Sequence, residues 1–328
     1  MKNLSHKKKS WKLSLISITI DVGHKRLMLT DGCLKGGMRV KPLMLKETEI
    51  CIGIEKPFQL LHVTDTHISL ADERDDERKQ NLALRRAKEF EGNDPGCCMR
   101  YFRESCDMAN TLGATLVHTG DLFDFVSEKH LEIAPELISM ANNYFMAAGN
   151  HEYSLYVGEA FEDEMYKARS FSRVQAALSP CDLRFASRIV NGVNLISVDN
   201  VYYYFSEYAR KRLTEEAEKG LPMILFFHNP LYTPELYEEC MEKRKNECCY
   251  AVGVPIEKMR SYSEHRFRQQ VASPDTERFM EYLYSLTQVK AVFAGHLHDF
   301  FESPLPSGVM QYVTGAQYNH EARLITVK

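Results

Sequence analysis

The chain has 328 residues, of which 44% are hydrophobic and 26% are charged, and its formal net charge is −4. These values are those of an ordinary globular protein and exclude collagen-like, low-complexity and largely disordered classes. The small net charge also disfavours a chain whose surface as a whole binds nucleic acid or membrane.

The first 56 residues differ from the rest in charge and in predicted secondary structure. They hold 12 Lys/Arg and 5 Asp/Glu, a balance of +7, whereas the other 272 residues have a balance of −11. Short strands separated by glycine turns are predicted here, at 11–20, 25–30, 38–45 and 49–54. We therefore predict a small, basic, β-rich appendage over 1–56. Trp11 is the only Phe, Trp or Tyr residue among its lysines, which favours a solvated face over a nucleic-acid surface.

The sequence indicates a cytoplasmic protein without a membrane span. The apolar run 13–20 follows three lysines, but it contains three hydroxyl residues and no small-residue cleavage site follows it, so a strand is favoured over a signal peptide. Other apolar runs are far shorter than the ~18 residues of a spanning helix. The nine cysteines are an odd number without C-x-x-C spacing, which predicts free thiols in a reducing compartment.

From residue 57 the pattern changes to alternating strands and helices. This alternation, followed by a tail of strands, predicts a layered α/β sandwich. The predicted strands are 58–63, 114–118, 144–148, 184–190, 193–198, 223–227 and 289–294, with further strands over 300–328. The predicted helices are 74–90, 99–112, 128–142, 205–219 and 276–286.

Five of these strands are followed by side chains that can bind metal. Open α/β sheets bind ligands at the carboxyl ends of their strands, so these residues should share one crevice. They are Asp65 and His67, Asp121 and Asp124, Asn150 and His151, His228, and His296 and His298. Two of the pairs are spaced i, i+2, and in an extended chain such residues point to the same side.

The types of these side chains indicate two metal ions. Two carboxylates, one amide oxygen and four imidazoles make seven candidate ligands, too many for one ion of this class. Two ions that share a bridging carboxylate would use them all. Imidazole with carboxylate suits transition metals better than calcium, so we predict two divalent or trivalent ions, with Mn, Fe or Zn most favoured. An isolated Asp121 or Asn150 would be read as a helix cap or turn residue, but the whole set reverses that reading.

The motifs D-x-H, G-D-x-x-D, G-N-H-E, H and G-H-x-H occur in this order, each at a predicted strand end. Over residues 57–328 the chain therefore resembles the calcineurin-like metallophosphoesterase superfamily. The resemblance implies an α/β/β/α sandwich and in-line attack on phosphorus by a hydroxide between two metals. Ala148 and Thr64 depart from the protein phosphatase branch, and the pattern is more similar to bacterial cyclic-nucleotide and glycerophosphodiester phosphodiesterases.

The resemblance also implies a role for each site residue. The first metal would be held by Asp65, His67, Asp121 and His298. Asp121 would bridge to the second metal, which Asn150, His228 and His296 complete. His151 would act on the leaving oxygen or the phosphoryl oxygens, and Asp124 would orient it. Glu152 is expected to be structural.

The remaining candidates concern substrate choice and packing. A predicted cap insertion over 232–268 carries Arg260, Arg266 and Arg268, whose guanidinium groups could bind a phosphate or the leaving group. A solvated helical segment is the equal alternative. Residues 70–98 could form part of the rim. The aromatic stripe 202–205, His62 and His118 are expected in the core, and His130 at the surface.

These predictions favour a di-metal phosphoesterase that acts on a small phosphodiester or phosphomonoester. A nuclease that uses the basic N-terminal segment is the first alternative, disfavoured by the acidic body. A non-catalytic binding module is the second, disfavoured because no motif residue is missing.

Overall fold

The computed structural model describes residues 41–157, 164–178 and 181–328. In this part of the chain two sheets are flanked by helices, as the layered prediction requires. The strands predicted at 11–20 and 25–30 lie outside the described residues.

The strands in the described ranges divide into a five-stranded and a six-stranded sheet. Numbered along the chain, they are β1 Met44–Ile50, β2 Phe58–Val63, β3 Thr115–His118, β4 Tyr144–Met146, β5 Phe185–Val190, β6 Val193–Val198, β7 Met223–Phe226, β8 Val289–Ala294, β9 Phe301–Pro304, β10 Met310–Val313 and β11 Glu321–Val327. The first sheet has the order β1-β11-β2-β3-β4 and the second β5-β6-β7-β8-β10-β9. Because β2, β3 and β4 are mutually parallel, as are β7 and β8, their carboxyl ends meet at common edges.

Among the described residues, eight α-helices accompany the strands. They are α1 Glu77–Glu91, α2 Cys97–Leu112, α3 Glu128–Ser139, α4 Glu164–Ala177, α5 Glu207–Ala217, α6 Pro234–Glu238, α7 Glu264–Gln270 and α8 Pro274–Ser285. Six of them begin at a side chain that accepts the backbone N–H three residues on, which supplies an acceptor that the first turn lacks. These capping residues are Asp76, Ser127, Ser206, Thr233, Ser263 and Ser273.

The two sheets pack face to face through aromatic rings. Phe226 of β7 lies with its ring centroid 6.1 Å from that of Phe145 on β4 and 6.2 Å from that of His62 on β2. His62 also contacts Phe293 of β8 at 5.7 Å. Helices α5 and α8 cover the outer face of the second sheet through Leu213 and other apolar side chains. Because the two sheets pack on each other, the carboxyl ends of β2, β3 and β4 lie next to those of β7 and β8.

Most predicted elements from residue 57 are present, and the hairpin around Asn191-Gly192 is confirmed, with positive φ at both turn residues. Two local predictions were wrong, and one helix was missed. The strands predicted at 38–45 and 49–54 are replaced, among the described residues, by β1, which crosses the predicted break. Helix α4 was not predicted. His130 is buried, because its ring accepts the Leu70 N–H at 2.7 Å and hydrogen-bonds the Phe125 carbonyl at 2.6 Å.

The described end of the predicted N-terminal appendage belongs to the first sheet. Strand β1 pairs in parallel with β11 along its whole length, from Met44 opposite Glu321 to Ile50 opposite Val327. Residues 1–40 lie outside the described part, so the boundary at residue 56 stays a prediction. No helix in the described ranges has both the length and the apolar character needed to cross a membrane.

Candidate metal centre

The strand ends turn sharply where the predicted ligands lie. Five of these residues have φ between 52° and 71°, the left-handed region that side chains with a Cβ seldom adopt. They are Asp65, His67, Asp121, His296 and His298. The extended geometry predicted for the i, i+2 pairs was therefore wrong, although both members of each pair do reach the same centre. Strain of this kind is typical of functional sites, where the surrounding fold enforces it.

Two glycines allow the turns to come together. A Cβ at Gly149 would overlap Oδ1 of Asp121, and a Cβ at Gly295 would overlap the Thr64 hydroxyl. Glycine is required at both positions because another part of the site occupies that space.

The first group of side chains consists of Asp65, His67 and His298. Nε2 of His67 lies 3.2 Å from Nε2 of His298, and the latter is 3.3 Å from Oδ1 of Asp65. The other carboxylate oxygen of Asp65 accepts the backbone N–H of His296 at 2.9 Å, which fixes its direction. Three potential ligand atoms thus lie within 4.8 Å of one another.

The second group consists of Asp121, His228 and His296. Nε2 of His228 lies 3.2 Å from Oδ2 of Asp121, 3.1 Å from Nδ1 of His296 and 3.1 Å from Oδ1 of Asn150. Oδ2 of Asp121 is also 3.8 Å from Nε2 of His67, so this carboxylate faces both groups. The structure thus brings together all seven residues predicted to bind metal, while their roles as ligands stay predictions.

The charges at this centre fit a cation. Oδ1 of Asp65 is buried and has no hydrogen-bond partner among the described residues. Burial alone would lower the pKa of His228, but the negative charges of Asp121 and Asp65 raise it to about 9, so the surroundings of this ring favour positive charge. Burial lowers the pKa of His67 and lowers that of His296 to about 3, which keeps these imidazoles neutral, as ligands must be.

Each of the four imidazoles in these groups is held through its other nitrogen. Tyr318 OH lies 3.0 Å from Nδ1 of His298, and Tyr203 OH lies 3.0 Å from Nε2 of His296. The remaining two rings hydrogen-bond the Thr119 carbonyl and the Asp124 carboxylate, at 2.7 Å and 2.9 Å. Such partners fix ring orientation and tautomer in metal sites.

His151 lies beside the two groups and contacts Asp124, while its predicted catalytic role stays a prediction. Its Nδ1 hydrogen-bonds the Asp124 carbonyl at 2.7 Å and is 3.2 Å from the carboxylate, while its backbone N–H donates to Asp121 at 2.9 Å. Burial would raise the pKa of Asp124, but Arg86 and His151 hold it well below its usual range.

Glu152 has the structural role expected of it, with a more specific form. Its buried carboxylate accepts the backbone N–H groups of Asp121, Leu122 and Gly149 at 2.6–2.8 Å and that of Phe123 at 3.3 Å. It therefore ties the loop after β3 to the loop after β4. Burial and the charge of Asp121 raise its pKa to about 7.

The three arginines predicted to contact substrate have different surroundings. Arg268 is exposed and pairs with Glu264, and Arg260 is also exposed. The guanidinium of Arg266 lies 5.0 Å over the ring of Tyr250, whose centroid is 6.0 Å from that of His296. Of the three, Arg266 is the one whose described contacts lead to the metal centre.

Several residues of the centre were missed in the sequence. Tyr203 belongs to the aromatic segment 202–205 that was predicted to pack in the core. It is buried there, and its hydroxyl also forms a hydrogen bond with His296. Tyr318, Phe90 and Arg86 are far from any motif, and the only available signal was the predicted rim over 70–98. His62 and His118, the two histidines predicted in the core, form hydrogen bonds with threonine hydroxyls and belong to neither group.

Clustered imidazoles and carboxylates at the carboxyl ends of two packed sheets are typical of a metal-dependent hydrolase. The family model for calcineurin-like phosphoesterases matches residues 58–300, and the chain belongs to that family. No curated protein matches the sequence.

Solved structures of low sequence identity resemble the chain. A dimetal phosphatase from Danio rerio is 12% identical, with 81% of this chain and 91% of that chain covered and a TM-score of 0.47. The protein TT1561 of Thermus thermophilus is 9% identical, with coverages of 80% and 91% and a TM-score of 0.40. A 5'-nucleotidase from Candida albicans SC5314 is 11% identical, with coverages of 85% and 47% and a TM-score of 0.38.

Proposed function

We propose that the chain binds two transition-metal ions and hydrolyses a small phosphodiester or phosphomonoester by in-line displacement at phosphorus. The observation that carries this proposal is the pair of ligand groups that meet at Asp121. Its Oδ2 faces His228 on one side and His67 on the other, at 3.2 Å and 3.8 Å.

The donor set supports Mn, Fe or Zn as the bound metals. The groups contain imidazole and carboxylate and no thiolate, since the described cysteines are elsewhere and free. Two ions at such a site activate water and neutralise charge on the phosphoryl group. The protein supplies Asp121 as the shared anion and holds each imidazole in place through its second nitrogen.

His151 is proposed to transfer the proton to the leaving oxygen. Its Nδ1 is held by Asp124, so Nε2 is the nitrogen that would carry the proton. The side chain is 13% exposed, which lets a substrate reach it while the partner Asp124 is fully buried.

The insertion over 232–268 is proposed to cap the second ligand group and contact the substrate through Arg266. Glu247 accepts from both Arg266 and Tyr250, at 2.7 Å and 3.0 Å, and so holds the guanidinium against the ring near His296. A guanidinium in this position can hold a phosphate or another anionic part of the leaving group. Arg260 and Arg268 are weaker candidates because they lie exposed.

The protein is further proposed to be cytoplasmic, because the eight described cysteines are unpaired thiols, seven of them buried. The division into an appendage at 1–56 and a catalytic domain at 57–328 is retained as a proposal.

The test uses the full-length protein, stripped of metal and reloaded with Mn²⁺, Fe²⁺ or Zn²⁺. We expect two ions per chain and metal-dependent hydrolysis of bis-p-nitrophenyl phosphate, p-nitrophenyl phosphate, or members of a panel of nucleotides and cyclic nucleotides. Asp121→Asn should lose most of this activity, because the shared charge is removed. Asp107→Asn, an exposed change on α2, is the matched control. A fully loaded protein that cleaves none of these substrates would contradict the proposal.

A further inference from the structure

Helix α1 contacts the candidate metal centre through Arg86 and Phe90. The guanidinium of Arg86 donates from Nε to Oδ2 of Asp124 at 2.6 Å and from Nη2 to Oδ1 at 2.9 Å. The pair is bidentate and largely desolvated, since Arg86 is 13% exposed and Asp124 is fully buried. Such planar two-point contacts fix the orientation of a carboxylate as well as its charge.

The carboxylate that Arg86 fixes serves two imidazoles. Oδ1 of Asp124 accepts from Nδ1 of His67 at 2.9 Å and lies 3.2 Å from Nδ1 of His151. Without the guanidinium, Oδ2 would be a buried anionic oxygen that has lost its strong donor. The carboxylate would then rotate towards water or another donor, and the orientation of both rings would change.

The same helix packs directly on one of these rings. Phe90, one turn beyond Arg86, stacks on His67 with a centroid distance of 4.2 Å and an interplanar angle of 12°. The Arg86 guanidinium lies 4.6 Å over the Phe90 ring. Arginine, phenylalanine and histidine thus form a continuous stack from the helix to the first ligand group.

We propose that Arg86 is a positioning residue that orients His67 for metal binding and His151 for proton transfer, both through Asp124. This inference rests on the proposed function for the part that concerns His151, and on the predicted ligand role of His67 for the other part. Lysine cannot replace the arginine fully, because an ammonium group lacks the planar pair of donors.

The test measures metal affinity separately from turnover. Mn²⁺ alone is titrated into the full-length wild-type protein and into Arg86→Ala and Arg86→Lys. We expect Arg86→Ala to bind Mn²⁺ about 10–100-fold more weakly, the usual effect of losing a group that supports a metal ligand. Arg86→Lys should fall in between, and it also serves if the alanine variant does not fold. Arg85→Ala, an exposed change on the same helix, is the control and should bind as the wild type does.

Kinetics and rescue distinguish positioning from a general loss of stability. With Mn²⁺ saturating, kcat of Arg86→Ala should fall by about 10–100-fold while KM changes little, because the orientation of His151 matters in the transition state. Guanidinium ion added at low concentration should restore part of both kcat and Mn²⁺ affinity to Arg86→Ala and have no such effect on Arg85→Ala.

The proposal is overturned if folded Arg86→Ala or Arg86→Lys binds Mn²⁺ with wild-type affinity. It is also overturned if only the melting temperature falls. A wild-type protein that binds Mn²⁺ but hydrolyses no phosphoester would refute the proposed function instead, and the comparison of Mn²⁺ affinities would still decide the role of Arg86.

Discussion

Glu152→Gln offers a direct test of how the loop after β3 is joined to the loop after β4. In the wild-type protein Oε2 accepts the N–H groups of Asp121 and Gly149, and Oε1 accepts those of Leu122 and Phe123. Glutamine keeps the shape of the side chain but replaces one of these oxygens with an NH₂ group. In either orientation of the amide, the NH₂ group, which is itself a donor, then faces two backbone N–H groups that have lost their acceptor.

The cost can be worked out from these contacts. Each buried donor left without an acceptor costs about 1–3 kcal/mol, so two donors cost about 2–6 kcal/mol. Removing the repulsion between Glu152 and Asp121 recovers part of this, and we expect a net loss of about 2–4 kcal/mol in the free energy of unfolding. Such a loss is a large part of a typical stability of about 5–15 kcal/mol.

The assay is equilibrium unfolding in urea, carried out above the Glu152 pKa of about 7 so that the wild-type carboxylate is ionised. Glu281→Gln, an exposed change on α8, is the control and should shift the unfolding free energy by less than about 0.5 kcal/mol. Mn²⁺ affinity should also fall, because the backbone of Asp121 is no longer held. Unchanged stability and unchanged affinity in Glu152→Gln would refute this reasoning.

Three further predictions concern pH, packing and ligand support. Burial lowers the pKa of His130 from 6.5 to about 4, so the unfolded chain binds the extra proton between these values and stability is lost as pH falls through this window. From about pH 7.5 to about pH 5 this histidine should remove about 2 kcal/mol from the unfolding free energy, and His130→Gln should show a correspondingly weaker pH dependence in urea unfolding. Gly149→Ala should displace the Asp121 carboxylate, with a loss of Mn²⁺ affinity in titrations; an unchanged affinity would show that the loops can separate. Tyr203→Phe removes the hydroxyl 3.0 Å from Nε2 of His296 and should weaken Mn²⁺ binding by about tenfold, whereas an equal affinity would mean that the ring needs no such support.

The sequence allowed the strand ends and the residues on them to be predicted because both depend on local pattern. Buried strands read as apolar runs, and the polar residues that follow them stand out. The convergence of Asp65 with His298, more than 200 residues later, followed from a general rule about where α/β sheets bind ligands. The backbone that achieves it did not, because left-handed φ values at aspartate and histidine are imposed by the packed loops and not by the residues themselves.

The supporting residues could not be predicted for a different reason. Arg86 lies on a charged helix whose sequence resembles any solvated helix, and its contact with Asp124 exists only once α1 has docked. Tyr318 follows no motif at all. Helix α4 has a weak apolar stripe, with three buried positions, so its periodicity gave little signal.

The pairing of β1 with β11 has a consequence for how the chain assembles. Residues 44–50 and 321–327 are neighbours in the sheet but are separated by nearly the whole sequence, and β11 also fills the place between β1 and β2. During synthesis β1 and the facing side of β2 therefore lack this partner until β11 has left the ribosome. Unpaired strand edges attract other chains, so nascent or C-terminally shortened forms of this protein are expected to depend on chaperones and to aggregate more readily than the finished fold.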